Sequence, residues 1–223
     1  MNNMKINQIG NGASLTLKKI IHNKVKYRDD FLLDRIKNKK ILDIGCIGHK
    51  IKHFNSDSSL HSFLKKHSKK VTGMDYLKKE VSILRKKGHD VIYGNAEDFD
   101  FNNKYDLIIA GELIEHLNNP GNFLKSAKKS IKKNGSIIIT TPNTFSFRNL
   151  IFSLLFVDPP VNSEHTMYFD PITLKRLIEN NGLKIKNSAY TFIHTIKPLY
   201  YLEYLISLIK PSFAPTIIFE LKK

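Results

Sequence analysis

Between Lys40 and Thr141, short runs of β-branched and other apolar residues alternate with lysine-rich segments whose apolar positions recur at helical spacing. No other feature constrains the chain as tightly. Apolar runs without polar alternation suit strands buried on both faces, and helical crossovers between such strands build a parallel sheet. The predicted strands are Ile41 to Gly45, Lys70 to Asp75, Asp90 to Gly94, Tyr105 to Ala110 and Ser136 to Thr141. The predicted helices between them are Ser58 to His67, Leu77 to Lys87 and Pro120 to Lys133, with Gly88 and Gly135 at C-cap positions.

Beyond Thr141 the pattern loosens. Phe145 to Val157 is rich in Phe, Leu and Ile and is broken by Asp158-Pro159-Pro160. A helix from Pro171 to Asn181 is stopped by Gly182, and a strand follows from Leu183 to Tyr190. A second apolar helix, Leu199 to Ile209, ends before Pro211, and a last strand runs from Pro215 to Leu221. The 223 residues suffice for one α/β domain with a sizeable core. Residues 1–39, with apolar positions at Leu15, Leu17, Ile20, Ile21, Val25, Phe31, Leu32 and Leu33, read as an N-terminal helical cap. Residues 40–223 form the main domain, with apolar insertions at 145–160 and 195–212.

One cysteine, Cys46, excludes an internal disulfide and fits a reducing, cytoplasmic compartment. Neither a signal-peptide pattern nor an apolar run long enough to span a bilayer is present, so secretion and membrane insertion are not expected. The net charge of +16 comes mostly from lysine, the arginines being Arg28, Arg35, Arg85, Arg148 and Arg176. Dedicated phosphate readers favour arginine, so a general basic surface is preferred over a nucleic-acid face.

In an open parallel sheet the ligand crevice lies outside the carboxyl ends of the strands. The first strand ends in ILDIGC, where Asp43 supplies a carboxylate and Gly45 a tight turn that brings backbone N–H groups to a ligand. The second ends in Asp75, a carboxylate placed to accept from both ribose hydroxyls of a nucleoside. The third ends in Asn95-Ala96-Glu97, the fourth in Gly111-Glu112. The remaining glycines of a dinucleotide fingerprint are missing, which turns the reading away from a nicotinamide enzyme.

The blocks ILDIGC, VTGMDY, GNAEDFDF, YDLIIAGELIEHLNNPGNFL, GSIIITTPN and SEHTMYFDPITLKRLIENNGL resemble, in that order, class I methyltransferases dependent on S-adenosylmethionine (SAM). Within that family the arrangement is similar to the group of ubiquinone-biosynthesis, small-RNA 2′-O and surface-glycan O-methyltransferases. The resemblance implies a doubly wound, Rossmann-like α/β fold with a mostly parallel seven-stranded sheet whose last strand is antiparallel. It also implies that Asp43, Gly45 and Cys46 adjoin the methionine part of SAM, that Asp75 with Tyr76 holds the ribose, and that Asn95 and Ala96 face the adenine, with Gly111 closing the edge. Two departures stand out: Ile47, Gly48 and His49 replace the usual further glycines, and Asn95 stands where the family has Asp.

On a helix starting after the fourth strand, Glu112, Glu115 and His116 would share one face. By the resemblance, this E-x-x-E-H run and the later His165 bind a divalent metal, Mg²⁺, Mn²⁺ or Zn²⁺, that grips substrate hydroxyls. The alternatives are that Glu112 and Glu115 interact favourably with a helix N-terminus and that His116 is a general base or a packed side chain; the candidate catalytic residues are His116, Glu115 and His165. Thr140 and Thr141 end the fifth strand and are candidates to meet the substrate, whereas Cys46 and His61 read as packed turn residues. The expected acceptor is a hydroxyl of a small molecule, a glycan or a lipid-linked sugar, with RNA as the alternative and a non-catalytic SAM-binding protein as the third reading. The apolar stretches 145–157 and 200–209 suggest a lid over an amphiphilic acceptor, or peripheral contact with an anionic membrane.

Overall fold

The computed structural model describes residues 25–48, 50–155, 161–193 and 198–223. Its strands are β1 (Val25–Tyr27), β2 (Lys40–Ile44), β3 (Lys70–Asp75), β4 (Val91–Tyr93), β5 (Tyr105–Gly111), β6 (Ile131–Pro142), β7 (Lys184–Phe192) and β8 (Thr216–Lys222). The α-helices are α1 (Arg28–Ile36), α2 (Leu60–His67), α3 (Lys78–Lys86), α4 (Pro120–Ser130), α5 (Phe147–Leu155), α6 (Pro171–Asn180) and α7 (Pro198–Ile209). The strands form one sheet in the order β1-β7-β8-β6-β5-β2-β3-β4. All neighbours are parallel except β8, which runs antiparallel to both β6 and β7. The expected doubly wound α/β sheet with an antiparallel last strand is therefore present.

Successive residues of the central strands feed opposite layers, the period of two that a strand imposes. Leu42, Ile108, Ile137 and Ile217 enter a large cluster under α4 and α6, with Phe123, Leu124, Leu174 and Ile178. Their neighbours Ile41, Leu107, Ile138 and Ile218 enter the opposite cluster, with Phe31, Leu32 and Ile36 of α1 and Leu64 of α2. A third, smaller cluster joins Ile47 and Phe54 to Val81 and Leu84 of α3.

Helix starts follow the expected side-chain chemistry. Asn119 and Asp170 cap α4 and α6, each followed by proline at the first helical position, and Asp170 Oδ1 accepts from the amides of Ile172 (2.7 Å) and Thr173 (3.1 Å). Two details differ from the sequence reading. Val25, assigned to a helical cap, lies in β1, an eighth strand on the edge beside β7. Leu15 to Ile21 lie outside the described residues. Gly135, assigned to a C-cap, lies within β6, because that strand begins at Ile131, directly after α4. There a β-carbon would stand 3.0 Å from the Asp106 carbonyl oxygen, so the close approach of two backbones explains the glycine.

A buried charge cluster ties the antiparallel strand to its surroundings. Glu220 of β8 accepts from Arg35 Nε (2.9 Å), Lys186 Nζ (2.8 Å), Asn187 Nδ2 (2.7 Å) and Ser136 Oγ (3.1 Å). Burial acts to raise this carboxyl, but the hydrogen bonds from Lys186, Asn187 and Arg35 outweigh it and bring the pKa from 4.5 down to about 2. A depressed folded-state pKa gives stability that is complete above the unfolded value and is lost as pH falls through the folded one. Glu220→Gln is therefore expected to destabilise the protein at neutral pH by on the order of 3 kcal/mol. Urea unfolding at a series of pH values checks this: the gap between wild type and variant should close between about pH 4.5 and pH 2, and a constant gap contradicts the assignment.

Candidate active site

The carboxyl ends of β5, β2, β3 and β4 lie side by side along one edge of the sheet. At the end of β2 the chain turns at Gly45, whose φ of +76° is left-handed, and its amide donates to the Met74 carbonyl (2.9 Å). A β-carbon at Gly45 would lie 3.1 Å from Leu113, so the turn also abuts the segment after β5. Cys46 is buried against Gly73, where a β-carbon would meet its Sγ at 2.6 Å. Burial, with the charges of Asp43 and Asp75 nearby, pushes its thiol far above the usual range, so Cys46 is a packed residue and a poor nucleophile.

The variant loop has a structural account. Ile47 turns its side chain into the cluster beneath α3 while its amide donates to Asp75 Oδ2 (3.0 Å). Leu77 N–H donates to Asp75 Oδ1 (3.1 Å). Burial raises the Asp75 carboxyl, and the amides of Ile47, Leu77 and Tyr76 oppose that rise. Each oxygen of Asp75 retains acceptor capacity beyond these bonds. Asp43 is buried and bonded through Oδ2 to His61 Nδ1 at 2.8 Å, and His61 stacks on Phe54 with ring centroids 4.5 Å apart. Tyr76 is exposed, Ala96 packs partly against the main core, and Asn95 Oδ1 accepts from the Glu97 amide (2.9 Å), closing an Asx turn. Gly111, at the end of β5, lies where a β-carbon would strike Leu60 at 2.6 Å. His49 lies outside the described residues.

The segment after β5 departs from the expected helix. Glu112 adopts φ +49°, with its amide donating to both the carbonyl (3.1 Å) and Oγ1 (3.0 Å) of Thr140, and Ile114–His116 is a single 3-10 turn. The reversal at Glu112 removes the shared helical face. Glu115, His116 and His165 instead come together, each offering a ligand atom within 4.8 Å of the others, while Glu112 stands outside this group. The His116 and His165 rings meet edge to face at 4.6 Å, and His116 Nδ1 lies 3.2 Å from the Glu164 carbonyl. The segment carrying His165 is fastened to this turn by the amides of Thr166 (2.9 Å) and Met167 (3.2 Å), both donating to the Glu115 carbonyl.

Glu115 is buried, and its Oε2 accepts from Thr141 Oγ1 at 2.9 Å. Its Oε1 and Glu112 Oε1 are buried without a hydrogen-bond partner. Burial raises both carboxyls well above the usual range, and the charge of Glu112 raises Glu115 further. The charge of Arg28 acts in the other direction on Glu112. Arg28 went unread in the sequence: it is buried at the start of α1, paired with Asp29 at 2.9 Å, and no local pattern marks it out from the other arginines. Thr140 and Thr141 point their hydroxyls at the glutamates of this site, so they organise it from within. Beside this group lies a cavity of about 490 Å³, lined by Thr144, Phe145, Leu150, Val161, Tyr168 and Phe213 among others. Tyr168 links the two, its ring 6.2 Å from that of His165.

Residues 18–188 match the sequence model of the methyltransferase domain family. The ubiquinone biosynthesis O-methyltransferase of Hydrogenovibrio crunogenus is 24% identical over 168 residues, 69% of this chain and 66% of the relative. That of Pelagibacter ubique is 26% identical over 163 residues, 68% of this chain and 64% of the relative. The chain thus spans just under two thirds of the length of these two relatives. Among solved structures, a SAM-dependent methyltransferase from Archaeoglobus fulgidus aligns with a TM-score of 0.60 at 17% identity, covering 88% of this chain and 90% of that one. The O-methyltransferase of a polyketide synthase multienzyme from Brevibacillus brevis, in complex with S-adenosylhomocysteine, aligns at 0.53 and 18% identity, covering 88% and 71%. The family match over most of the chain and the sheet order together place this protein in the methyltransferase domain family, as a class I SAM-dependent methyltransferase.

Proposed function

We propose that this methyltransferase carries out O-methylation, with a hydroxyl of a small molecule, a glycan or a lipid-linked sugar as acceptor. The observation that carries the reading is the group Glu115, His116 and His165 standing beside a largely apolar cavity, with Tyr168 shared between them. The names of the relatives, ubiquinone biosynthesis O-methyltransferases, support it. Residues 40–223 serve as the catalytic domain, completed by β1 in its sheet and α1 in its core, and the segments 145–160 and 195–212 serve as the acceptor-side insertions.

On this reading SAM lies along the ends of β2 to β5, where Asp43, Gly45, Cys46, Asp75, Tyr76, Asn95, Ala96 and Gly111 form the edge. Bound there, SAM supplies a methyl group made electrophilic by its sulfonium. Asp75, held by the Ile47 and Leu77 amides, offers its remaining lone pairs to ribose hydroxyls. Arg28 offers a buried positive charge to the cofactor carboxylate. A carbonyl only accepts, so the contact with Glu164 puts the hydrogen of His116 on Nδ1 and leaves Nε2 as the basic nitrogen. His116 Nε2 would take the proton of the acceptor hydroxyl, making that oxygen the nucleophile for the methyl group.

A divalent cation fits the same side chains. Glu115 Oε1 is buried without a partner, and one carboxylate with two imidazoles suits Zn²⁺, Mn²⁺ or Mg²⁺. Glu115, His116 and His165 would hold it, and such an ion lowers the pKa of a bound hydroxyl. The basic composition keeps an RNA acceptor as the alternative. A reducing, cytoplasmic setting suits the lone Cys46.

Incubation with methyl-labelled SAM is expected to place label in a lipid-and-glycan extract, and label in RNA alone contradicts the proposed acceptor class. His116→Ala should lower kcat by on the order of a hundredfold while SAM affinity stays unchanged. Turnover that is unaffected by this substitution and by chelators removes both the base and the metal roles.

A further inference from the structure

We propose that the outer face of α5 and α7 docks on an anionic lipid bilayer. This goes beyond methyl transfer and does not depend on the identity of the acceptor. The usual surface helix turns its apolar stripe inward and its polar side to water. Helix α7 departs from this. Tyr204, against the main core, and Ile206 are half-buried, but the fully buried residues of the helix are polar: Glu203 and Ser207, 4% and 0% exposed and both satisfied within the protein. Glu203 Oε1 accepts from the Arg148 amide (3.2 Å) at the start of α5, and Ser207 Oγ donates to the Glu203 carbonyl (2.6 Å). The outward residues are Tyr201, Leu202, Leu205, Leu208 and Ile209, which fall on one helical stripe, with Leu202 58% and Ile209 88% exposed.

Helix α5 packs beside α7 and extends the same surface with Leu150, Leu154 and Leu155, the last two 70% exposed. The two helices have 9 and 12 residues, and no helix among the described residues is long and apolar enough to cross a membrane. An apolar face on short helices suits the interfacial plane of a bilayer, with the helices lying flat.

Charge selects the occupant. The only acid in α5 and α7, Glu203, is turned inward, whereas Lys210 follows α7 directly and is exposed, its Nζ 4.4 Å from the Phe213 ring centre. The chain as a whole carries +16, so a second copy would meet this face with like charge, while anionic headgroups are attracted to it. Leu150 belongs both to this face and to the cavity wall, so the docked surface adjoins the cavity.

Flotation of the full chain with vesicles tests the proposal. Wild type should bind vesicles of phosphatidylcholine with phosphatidylglycerol about tenfold more tightly than phosphatidylcholine alone. The triple variant Leu154→Glu, Leu202→Glu, Ile209→Glu changes only exposed side chains, and should lose about tenfold or more of that affinity while keeping the wild-type circular dichroism. Lys210→Glu leaves the apolar stripe intact and should weaken binding to the anionic vesicles alone, which decides the matter even if the triple variant does not fold. Absence of vesicle binding by wild type, equal binding to neutral vesicles, or a dimer in size-exclusion chromatography that the triple variant dissociates without any vesicle binding each overturns it.

Discussion

The left-handed turn at Gly45 is the constraint on which the rest of the site depends. Its strand, β2, lies between β3 and β5, and the turn fastens to β3 through the Gly45 and Cys46 amides on the Met74 carbonyl and the Ile47 amide on Asp75. A side chain at Gly45 would be strained by its φ and would press on Leu113, the residue before the turn that carries Glu115 and His116. One small residue thereby lets the turn bond to Asp75 on one side and abut Leu113, ahead of the glutamate–histidine group, on the other. The packing follows from this arrangement. Because β2 and β5 are covered on both faces, alternate residues fill both clusters, and the strand ends have little freedom to move.

The two halves of the site are built differently. Along the ends of β2 and β3, polar groups are matched by the chain itself: Asp75 by two amides, Asp43 by His61. Beyond β5, two glutamates each leave a buried oxygen without a partner, and Glu112 holds a left-handed backbone that a non-glycine residue rarely adopts. Unsatisfied buried carboxylates and a strained residue cost stability, and they persist where the site has work to do. Glu220 marks the contrast, since an equally buried carboxylate there is fully surrounded by donors and serves the sheet.

The sheet was legible because its strands announce themselves as apolar runs, and seven of the eight elements predicted between Lys40 and Thr141 match the observed ones within three residues, the exception being the fifth strand, which begins at Ile131 instead of Ser136. The short β1 was not, since three residues, Val25 to Tyr27, carry no periodicity and owe their conformation to pairing with β7. Spacing alone put Glu112 on a helix with Glu115 and His116. The backbone reversal at Glu112 depends on Thr140, 28 residues away, which no local pattern reveals. The Ile47 loop was legible as a departure and not as a solution, because its burial depends on Phe54, Val81 and Leu84 from other segments. Arg28 escaped for a similar reason, being significant only through the fold that brings it near Glu112.

The central claim is that a SAM site lies at the edge anchored by Asp75, and calorimetric titration of the wild type and of Asp75→Asn with SAM tests it most directly. The wild type should give a saturable single-site heat, and the variant, with one carboxylate acceptor lost, should bind about tenfold more weakly while remaining folded. No heat in the wild type, or equal affinity in the variant, would contradict the account.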